Sequence, residues 1–270
     1  MKRLTSIHVQ ATNNRLKVVR RTKPNLKVCI TGASQGLGRA MTDQFVEHGD
    51  KVFVVSRHDK DVRELISGSA NVYGHAADIG NPDNFPTIFE KICDAFDGEV
   101  DIFLNCAAQS GGYGLMEDLT NEKVVDIIST NLLGTCLCCK HAYDIMKKQE
   151  SGGAIFNFLG NGSSGDSTPN YSVYGSTKCG VKQLTLSLQK EWSASTVDLH
   201  LISPGLMNTD LLMENLSDET FEIIRKMCST PEVVAYNIVP RIRNIYYAAK
   251  DDHTLKFQTV LKIAYKMLSR

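Results

Sequence analysis

The sequence lacks the uninterrupted apolar run of about 18 residues that a membrane-spanning helix requires, and it lacks an excess of charge of either sign. Its 270 residues carry 30 basic and 30 acidic side chains, so the formal net charge at pH 7 is +0. A neutral balance argues against a nucleic-acid partner. The apolar segment of a secretory signal is also missing.

Paired C-x-x-C groups with zinc-site spacing are missing as well. The chain has eight cysteines, but no two C-x-x-C groups stand at the separation that a structural zinc site needs. The cluster Cys136-Leu137-Cys138-Cys139 could form a metal or redox centre, but small apolar residues on a buried helix account for it better. We therefore expect no metal site, and free thiols indicate a reducing compartment.

Acidic residues are absent from the first 24 positions, which contain seven of the basic ones: Lys2, Arg3, Arg15, Lys17, Arg20, Arg21 and Lys23. A basic, acid-free segment is typical of an organellar transit peptide or its remnant. The alternative is a disordered basic arm with no address function. We therefore treat residues 1–24 as an extension and place the folded domain at residues 25–250.

A glycine-rich turn follows the first apolar run. The apolar pattern of residues 26–30 predicts a short strand. The next segment, Thr31–Gly38, has the spacing T-G-x-x-x-G-x-G, and a helical pattern begins near Ala40. A strand, a glycine turn and a helix bring free backbone N–H groups and the positive end of the helix dipole to one point. This point suits the pyrophosphate of a dinucleotide.

The second predicted strand, Lys51–Val55, ends at Ser56-Arg57. An acidic residue at this place accepts hydrogen bonds from the adenosine ribose, whereas an arginine can bind a 2′-phosphate. Arg57 therefore favours NADPH. NADH stays open because Gln35 leaves the glycine turn without a basic residue, and Arg57 could instead be a solvated surface side chain.

Strands alternate with helices along the rest of the domain, with further strands predicted near residues 71–76, 101–104, 154–158 and 197–202. This alternation predicts an α/β fold, a Rossmann-like doubly wound parallel sheet with helices on both faces. The motifs follow strand ends, so they should meet beyond the carboxyl edge of the sheet. Helices are predicted after residue 231, which gives the sheet a helical C-terminal extension.

Tyr174 and Lys178 are four residues apart and so share one face of a helix. Together with the glycine turn, Asp78-Ile79, residues 105–108, Asn131 and Pro204-Gly205, they resemble the short-chain dehydrogenase/reductase family in order and spacing. The resemblance covers roughly residues 26–210.

The resemblance implies a set of site residues. Proton transfer would involve Tyr174, Lys178, Asn131 and Ser163. The cofactor would be bound by Gly32, Ser34, Gly36, Leu37 and Gly38 at the phosphates, Arg57 at the 2′-phosphate, Asp78 and Ile79 at the adenine, Asn105 at the ribose, and Tyr174, Lys178, Pro204 and Thr209 on the nicotinamide side. Lys178 would lower the pKa of the Tyr174 phenol, and Asn131 would hold a relay water.

Two departures from the family pattern narrow the resemblance. The usual serine about thirteen residues before the tyrosine is replaced by Asn161, and no usual last strand is recognised near the C-terminus. The segment from residue 157 to Lys178 and the run from residue 203 to 213 are similar to the chlorophyll(ide) b reductases. Ser163 aligns with the serine of that branch; Ser164, the Asn161 amide and backbone N–H groups are the alternatives.

That branch implies NADPH-dependent reduction of the 7-formyl group of a chlorophyll b-type tetrapyrrole to a hydroxymethyl group. The apolar stretch from Leu206 to Met227 would close over the substrate, or else form an ordinary helix pair. Two alternatives stay open. One is a generic carbonyl or 3-oxoacyl-thioester reductase, and the other is a non-enzymatic NADP-binding scaffold.

The tail, residues 251–270, is interpreted as a basic amphipathic helix, with acidic residues only at Asp251 and Asp252. Such a helix can lie on an anionic membrane surface or dock on its own domain. A chloroplast location follows from the resemblance, peripheral to the thylakoid membrane. Contact with a light-harvesting protein and oligomer formation are further expectations.

Overall fold

The computed structural model describes residues 23–209, 211, 228–248 and 254–256. In these residues seven parallel strands form one sheet in the order β3-β2-β1-β4-β5-β6-β7. The strands are β1 Lys27–Thr31, β2 Lys51–Ser56, β3 Val72–Ala76, β4 Ile102–Asn105, β5 Gly153–Phe158, β6 Val197–Ser203 and β7 Thr254–Lys256. The order reverses between β1 and β4, which creates the crevice where ligands of such sheets bind.

Helices connect the strands, because parallel neighbours need a crossover connection. They are α1 Gly36–Glu47, α2 Asp59–Gly68, α3 Phe85–Phe96, α4 Asn121–Ile128, α5 Thr135–Met146, α6 Ser172–Glu191 and α7 Pro231–Ala248. Short 3₁₀ turns occupy Pro82–Asn84 and Met116–Asp118, and a π-helical turn, Ser129–Gly134, joins α4 to α5. No helix in this described part combines the length and the apolarity needed to cross a bilayer.

Two apolar cores lie on opposite faces of the sheet. Val28 and Ile30 of β1 belong to the core that α1, α2 and α7 cover, whereas Cys29 belongs to the core covered by α3 and α5. This division follows from the two-residue period of a strand. The predicted doubly wound parallel sheet is therefore confirmed.

The C-terminal extension differs from its prediction. Thr254–Lys256 is not helical but forms β7, which pairs in parallel with residues 201–203 of β6. The free backbone groups of the β6 edge are satisfied by this pairing, and the helical spacing of the apolar residues around it gave no sign of a three-residue strand. The rest of the predicted helix, residues 251–253 and 257–270, lies outside the described residues, as does the N-terminal extension up to residue 22.

Candidate active site

The glycine turn connects β1 to α1 and lies against the end of β4. Gly32 has a φ of +70°, and a Cβ atom added to it would lie 2.6 Å from the Cα atom of Ala107. Only glycine fits this left-handed conformation and close approach without strain. The turn continues through Ser34 to Gly36, the first residue of α1, with Leu37 and Gly38 buried behind it.

The segment after β6 meets this turn from the other side. A Cβ atom on Gly36 would be 3.5 Å from Cγ2 of Thr209, so Thr209 lies directly over the start of α1. Pro204 is buried at the end of β6. Residues that are more than 160 positions apart in sequence therefore form the two sides of one cleft, as predicted.

The ends of β2 and β3 lie beside the glycine turn, at the side of the cleft predicted to hold the adenosine. The Ser56 hydroxyl donates a hydrogen bond of 2.8 Å to the Ser34 hydroxyl, and Arg57 follows as an exposed side chain. After β3, Oδ1 of Asp78 accepts a hydrogen bond of 2.7 Å from the N–H of Gly80, and Ile79 is buried. The four predicted residues of this region therefore all lie along the carboxyl edge of the sheet: Ser34, Arg57, Asp78 and Ile79.

The Asn105 side chain is buried at the end of β4. Its Nδ2 atom donates 2.7 Å to Oδ1 of Asn157, its register partner on β5, and Asn157 in turn donates 2.9 Å to the Thr185 hydroxyl on α6. The Asn105 side chain thus braces β4, β5 and α6 from the interior. Its Oδ1 atom is buried and has no hydrogen-bond partner among the described residues. A direct contact with a ribose stays a prediction.

Tyr174 and Lys178 lie one turn apart on α6, and both are buried, with exposed fractions of 9% and 4%. The Lys178 ammonium donates a hydrogen bond of 3.1 Å to the carbonyl of Phe158 at the end of β5 and is 5.7 Å from the ring centre of Tyr174. The lysine is therefore fixed between the sheet edge and the phenol.

Gly160, in the loop after β5, has no side chain and so leaves room for the Tyr174 phenol. A Cβ atom added to Gly160 would lie 2.2 Å from the Tyr174 hydroxyl oxygen and 3.2 Å from Cγ of Lys178. Any larger residue at this position would have to displace the proposed proton donor. Gly160 is thus part of the site, although sequence spacing did not identify it.

Ser163 is turned toward its own loop. Its hydroxyl donates 2.7 Å to the Gly160 carbonyl and accepts 2.9 Å from the Gly160 N–H. The side chain is 7% exposed and holds the loop closed beside Tyr174. Asn161 and Ser164 are both exposed. A carbonyl-polarising role for Ser163 would require its O–H to turn from the Gly160 carbonyl to the substrate, while the hydrogen bond from the Gly160 N–H could remain. That role stays a prediction.

Asn131 is completely buried within the π-helical turn between α4 and α5. Its Oδ1 atom accepts 2.8 Å from the N–H of Gln109, while its Nδ2 atom donates to the Gln109 carbonyl at 2.8 Å and to the Thr177 hydroxyl at 3.1 Å. The side chain therefore clamps the segment after β4 to the catalytic face of α6. Such π turns occur often at functional sites. Holding a relay water stays a prediction.

Burial controls the protonation of the central pair. Burial, reinforced by Tyr171 and Cys106, raises the pKa of Tyr174, whereas the predicted influence of Lys178 was a lowering. Burial also lowers the pKa of Lys178 to about 8. Both shifts arise because a buried site disfavours the charged form of each group. The phenol is consequently protonated at pH 7, which is the state that a proton donor requires.

Three contributors escaped the sequence analysis. Gln109 and Thr177 hold Asn131, and the Cys106 thiol lies close enough to Tyr174 and Lys178 to influence both of their pKa values. Cys106 lies within the motif at residues 105–108, and Thr177 lies next to Lys178; these positions were the available signal. The proposed covering segment cannot be compared, because residues 212–227 lie outside the described part.

The cleft fits a nicotinamide dinucleotide. The missing Cβ atoms of Gly32 and Gly36 leave a backbone cradle at the start of α1, where helix N–H groups favour phosphate, and Thr209 and Arg57 lie at its two sides. A cofactor held there would run along the sheet edge toward Tyr174 and Lys178. A dinucleotide cleft next to a buried tyrosine and lysine defines an oxidoreductase.

Comparison with known proteins assigns this oxidoreductase to a family. The family model described as short chain dehydrogenase matches residues 26–220. The chain belongs to the short-chain dehydrogenase family, whose members use a nicotinamide cofactor. A solved structure, the closed form of serine dehydrogenase complexed with NADP⁺, shares the fold with a TM-score of 0.74 at 23% identity over 86% of this chain and 94% of that one.

Two plant proteins are more similar in sequence. The chain is 36% identical over 83% of its length to the probable chloroplastic chlorophyll(ide) b reductase NYC1 of Arabidopsis thaliana, of which the match covers 49%. It is 32% identical over 92% of its length to the chloroplastic chlorophyll(ide) b reductase NOL of Oryza sativa subsp. japonica, of which 75% is covered. The chain thus spans about half the length of the first relative.

Proposed function

We propose that this chain reduces the formyl group of a chlorophyll b-type tetrapyrrole to a hydroxymethyl group with NADPH as cofactor. The observation that carries the proposal is the loop from Gly160 to Pro169. In this loop Asn161 stands where the family has its usual serine, and the backbone of Gly160 lies against Tyr174. The loop resembles that of the chlorophyll(ide) b reductases. The similarity to two proteins of that name supports the same conclusion.

The chain's residues account for the proton side of this reaction. When bound, the nicotinamide supplies the hydride that forms the new C–H bond at the aldehyde carbon. As the C=O π bond breaks, Tyr174 donates its phenolic proton to the oxygen and forms the O–H bond. The Lys178 ammonium then stabilises the phenolate. Burial raises the pKa of Tyr174, so the phenol carries its proton when the substrate binds.

NADPH is proposed over NADH because of Arg57. Its exposed guanidinium follows β2. Among the described residues, no carboxylate stands at the end of β2, where the hydroxyl of Ser56 is hydrogen-bonded to that of Ser34. A guanidinium matches the geometry of a phosphate, whereas an acidic residue would repel it.

The direct test combines purified protein, NADPH and chlorophyllide b, and follows the shift of the pigment absorption band. We expect conversion by the unaltered chain and a decrease in kcat of about a thousandfold for Tyr174→Phe, since positioned proton donors contribute roughly 10²–10⁴-fold. NADPH binding by Tyr174→Phe serves as the folding control. No shift, together with reduction of a 3-oxoacyl thioester, would favour the generic reductase, and NADPH binding without any turnover would favour a scaffold.

We also propose a chloroplast location, from the names of the plant relatives, and peripheral contact with the thylakoid surface or a light-harvesting protein, where the pigment is held. Residues 254–270 contain basic and apolar residues and no acidic one, a composition that favours anionic lipid surfaces. Flotation with anionic liposomes, before and after removal of residues 257–270, tests this while leaving β7 in place. Equal flotation of both forms would contradict the contact.

A further inference from the structure

A row of tyrosines leads from the catalytic phenol to the surface. The ring centre of Tyr171 is 6.2 Å from that of Tyr174, and the ring centre of Tyr113 is 5.5 Å from that of Tyr171. The rings meet edge to face, and exposure increases along the row: Tyr174 is buried, Tyr171 is half-buried and Tyr113 is 43% exposed. The row therefore begins at the reacting proton and ends in solvent.

The outer end of this row is held in place by two loops. Nδ2 of Asn170 donates a hydrogen bond of 2.7 Å to the Tyr113 hydroxyl, and the carbonyl of Asn170 accepts 3.2 Å from the N–H of Gly114. These contacts join the segment after β4 to the segment before α6. A surface ring that is already ordered loses little conformational entropy when a ligand binds it.

Apolar side chains extend the same surface. Leu115 and Met116 follow Tyr113 and are 52% and 54% exposed, and the Ser172 hydroxyl lies 3.8 Å from the Met116 sulfur. Exposed apolar side chains that stand together are typical of a binding surface. A thioether adapts its shape to a large ligand more readily than a branched side chain does.

We infer that Tyr113, Tyr171 and Met116 form the subsite that binds the flat ring system of the substrate, and that they set the specificity of this chain for a planar aromatic aldehyde. The inference rests on the proposed function, since it names where the pigment lies. The formyl group must lie next to the Tyr174 hydroxyl to receive its proton. The tyrosine row begins at that same side chain and extends outward, so the rest of the ring system can lie along it.

The chemistry of the row favours this occupant over a thioester. Aromatic rings gain from offset or edge-to-face contact with another ring system, beyond the burial of apolar area. A flexible aliphatic acyl chain offers no ring and gains only the area. The rigid row therefore discriminates between the two substrate classes that the proton chemistry alone treats alike.

Equilibrium binding of chlorophyllide a, which is planar but has no formyl group, tests the subsite without any turnover. We expect the Kd from fluorescence titration to rise about tenfold in Tyr171→Leu and in Tyr113→Leu, in line with the loss of one aromatic contact. Tyr113→Phe removes only the hydrogen bond to Asn170 and should raise the Kd about threefold.

Tyr236→Leu is the matched control. Tyr236 is 69% exposed on α7. Helix α7 packs on one face of the sheet, whereas α5 and α6 pack on the other face. The same substitution at Tyr236 should therefore leave the Kd for the pigment unchanged. The Kd for NADPH reports that each variant is folded. Equal pigment affinity in Tyr171→Leu, Tyr113→Leu and the unaltered chain would overturn the subsite.

The experiment separates this inference from the proposed function. Pigment reduction that is insensitive to the row variants would support the function and refute the subsite. Row-dependent binding of chlorophyllide a without reduction of chlorophyllide b would support the subsite and refute the function. Absence of pigment binding by the unaltered chain would refute both.

Discussion

The glycine turn after β1 and the loop after β5 both bring bare backbone against a neighbour, but the neighbours differ in kind. Gly32 lies against the backbone of Ala107, whereas Gly160 lies against the hydroxyl of Tyr174. The closest atoms of Ala107 are backbone atoms, whereas the contact at Tyr174 involves the proposed proton donor. The first contact therefore bears on the proposed cofactor site, and the second bears on the proposed reaction.

This comparison implies that the two regions should respond differently to substitution. Changes around the glycine turn should act on cofactor binding, and changes in the β5–α6 loop should act on the reaction itself.

Among the variants that keep Tyr174, Gly160→Ala should have the largest effect. The new methyl group would lie 2.2 Å from the Tyr174 hydroxyl, and a misplaced donor reduces the rate on the order of 100-fold. Steady-state kcat with chlorophyllide b measures it. Gly68→Ala at the end of α2, where nothing lies within 4 Å, is the matched control and should keep full activity. A fully active Gly160→Ala would show that the phenol has another position during turnover.

The pH profile should reveal Lys178. Its pKa is about 8 because of burial, so its ammonium is present below that pH and is lost as the pH rises through it. Since the ammonium stabilises the phenolate, kcat should be level below about pH 8 and fall about tenfold for each further unit. Lys182→Met, on the next turn of α6, should retain this profile. A kcat that is constant up to pH 10 would contradict the role of Lys178.

Arg57→Ala tests the cofactor region. Loss of a charge-assisted hydrogen bond to a phosphate is worth about 1.5–3 kcal/mol, so the KM for NADPH should rise about tenfold or more while the KM for NADH changes little. Arg63→Ala is the control, because Arg63 forms its ion pair with Asp59 at 2.7 Å on the surface of α2. Equal changes for both cofactors would remove Arg57 from the 2′-phosphate site.

Ser163→Ala should have the smallest effect. It removes two hydrogen bonds to Gly160, which loosens the loop but leaves Tyr174 in place, so kcat should fall about threefold. A decrease as large as that of Tyr174→Phe would instead show that the Ser163 hydroxyl contacts the substrate carbonyl in turnover. The comparison of the two variants in one assay decides between these roles.

Sequence patterns identified what depends on local spacing. The alternation of strands and helices predicted the sheet, and a spacing of four placed Tyr174 and Lys178 on one face of α6. Sequence patterns could not identify contacts that depend on how distant segments of the chain approach one another. Gly160 against Tyr174 and Gln109 against Asn131 are of this kind.

Environment was the second source of error. The predicted lowering of the Tyr174 pKa assumed that the nearby ammonium dominates, but burial has the larger effect and raises it. The family position of Asn105 also did not reveal that its amide is hydrogen-bonded to Asn157 inside the sheet edge. β7 was missed because three residues are too short for a periodic pattern to be visible.

The most direct measurement is the identity of the pigment formed from chlorophyllide b with NADPH, determined by mass spectrometry and absorption. Catalysed conversion to the 7-hydroxymethyl pigment, lost in Tyr174→Phe and strongly reduced in Gly160→Ala, is the predicted result. Unchanged chlorophyllide b after prolonged incubation with folded, NADPH-binding protein would contradict the central claim.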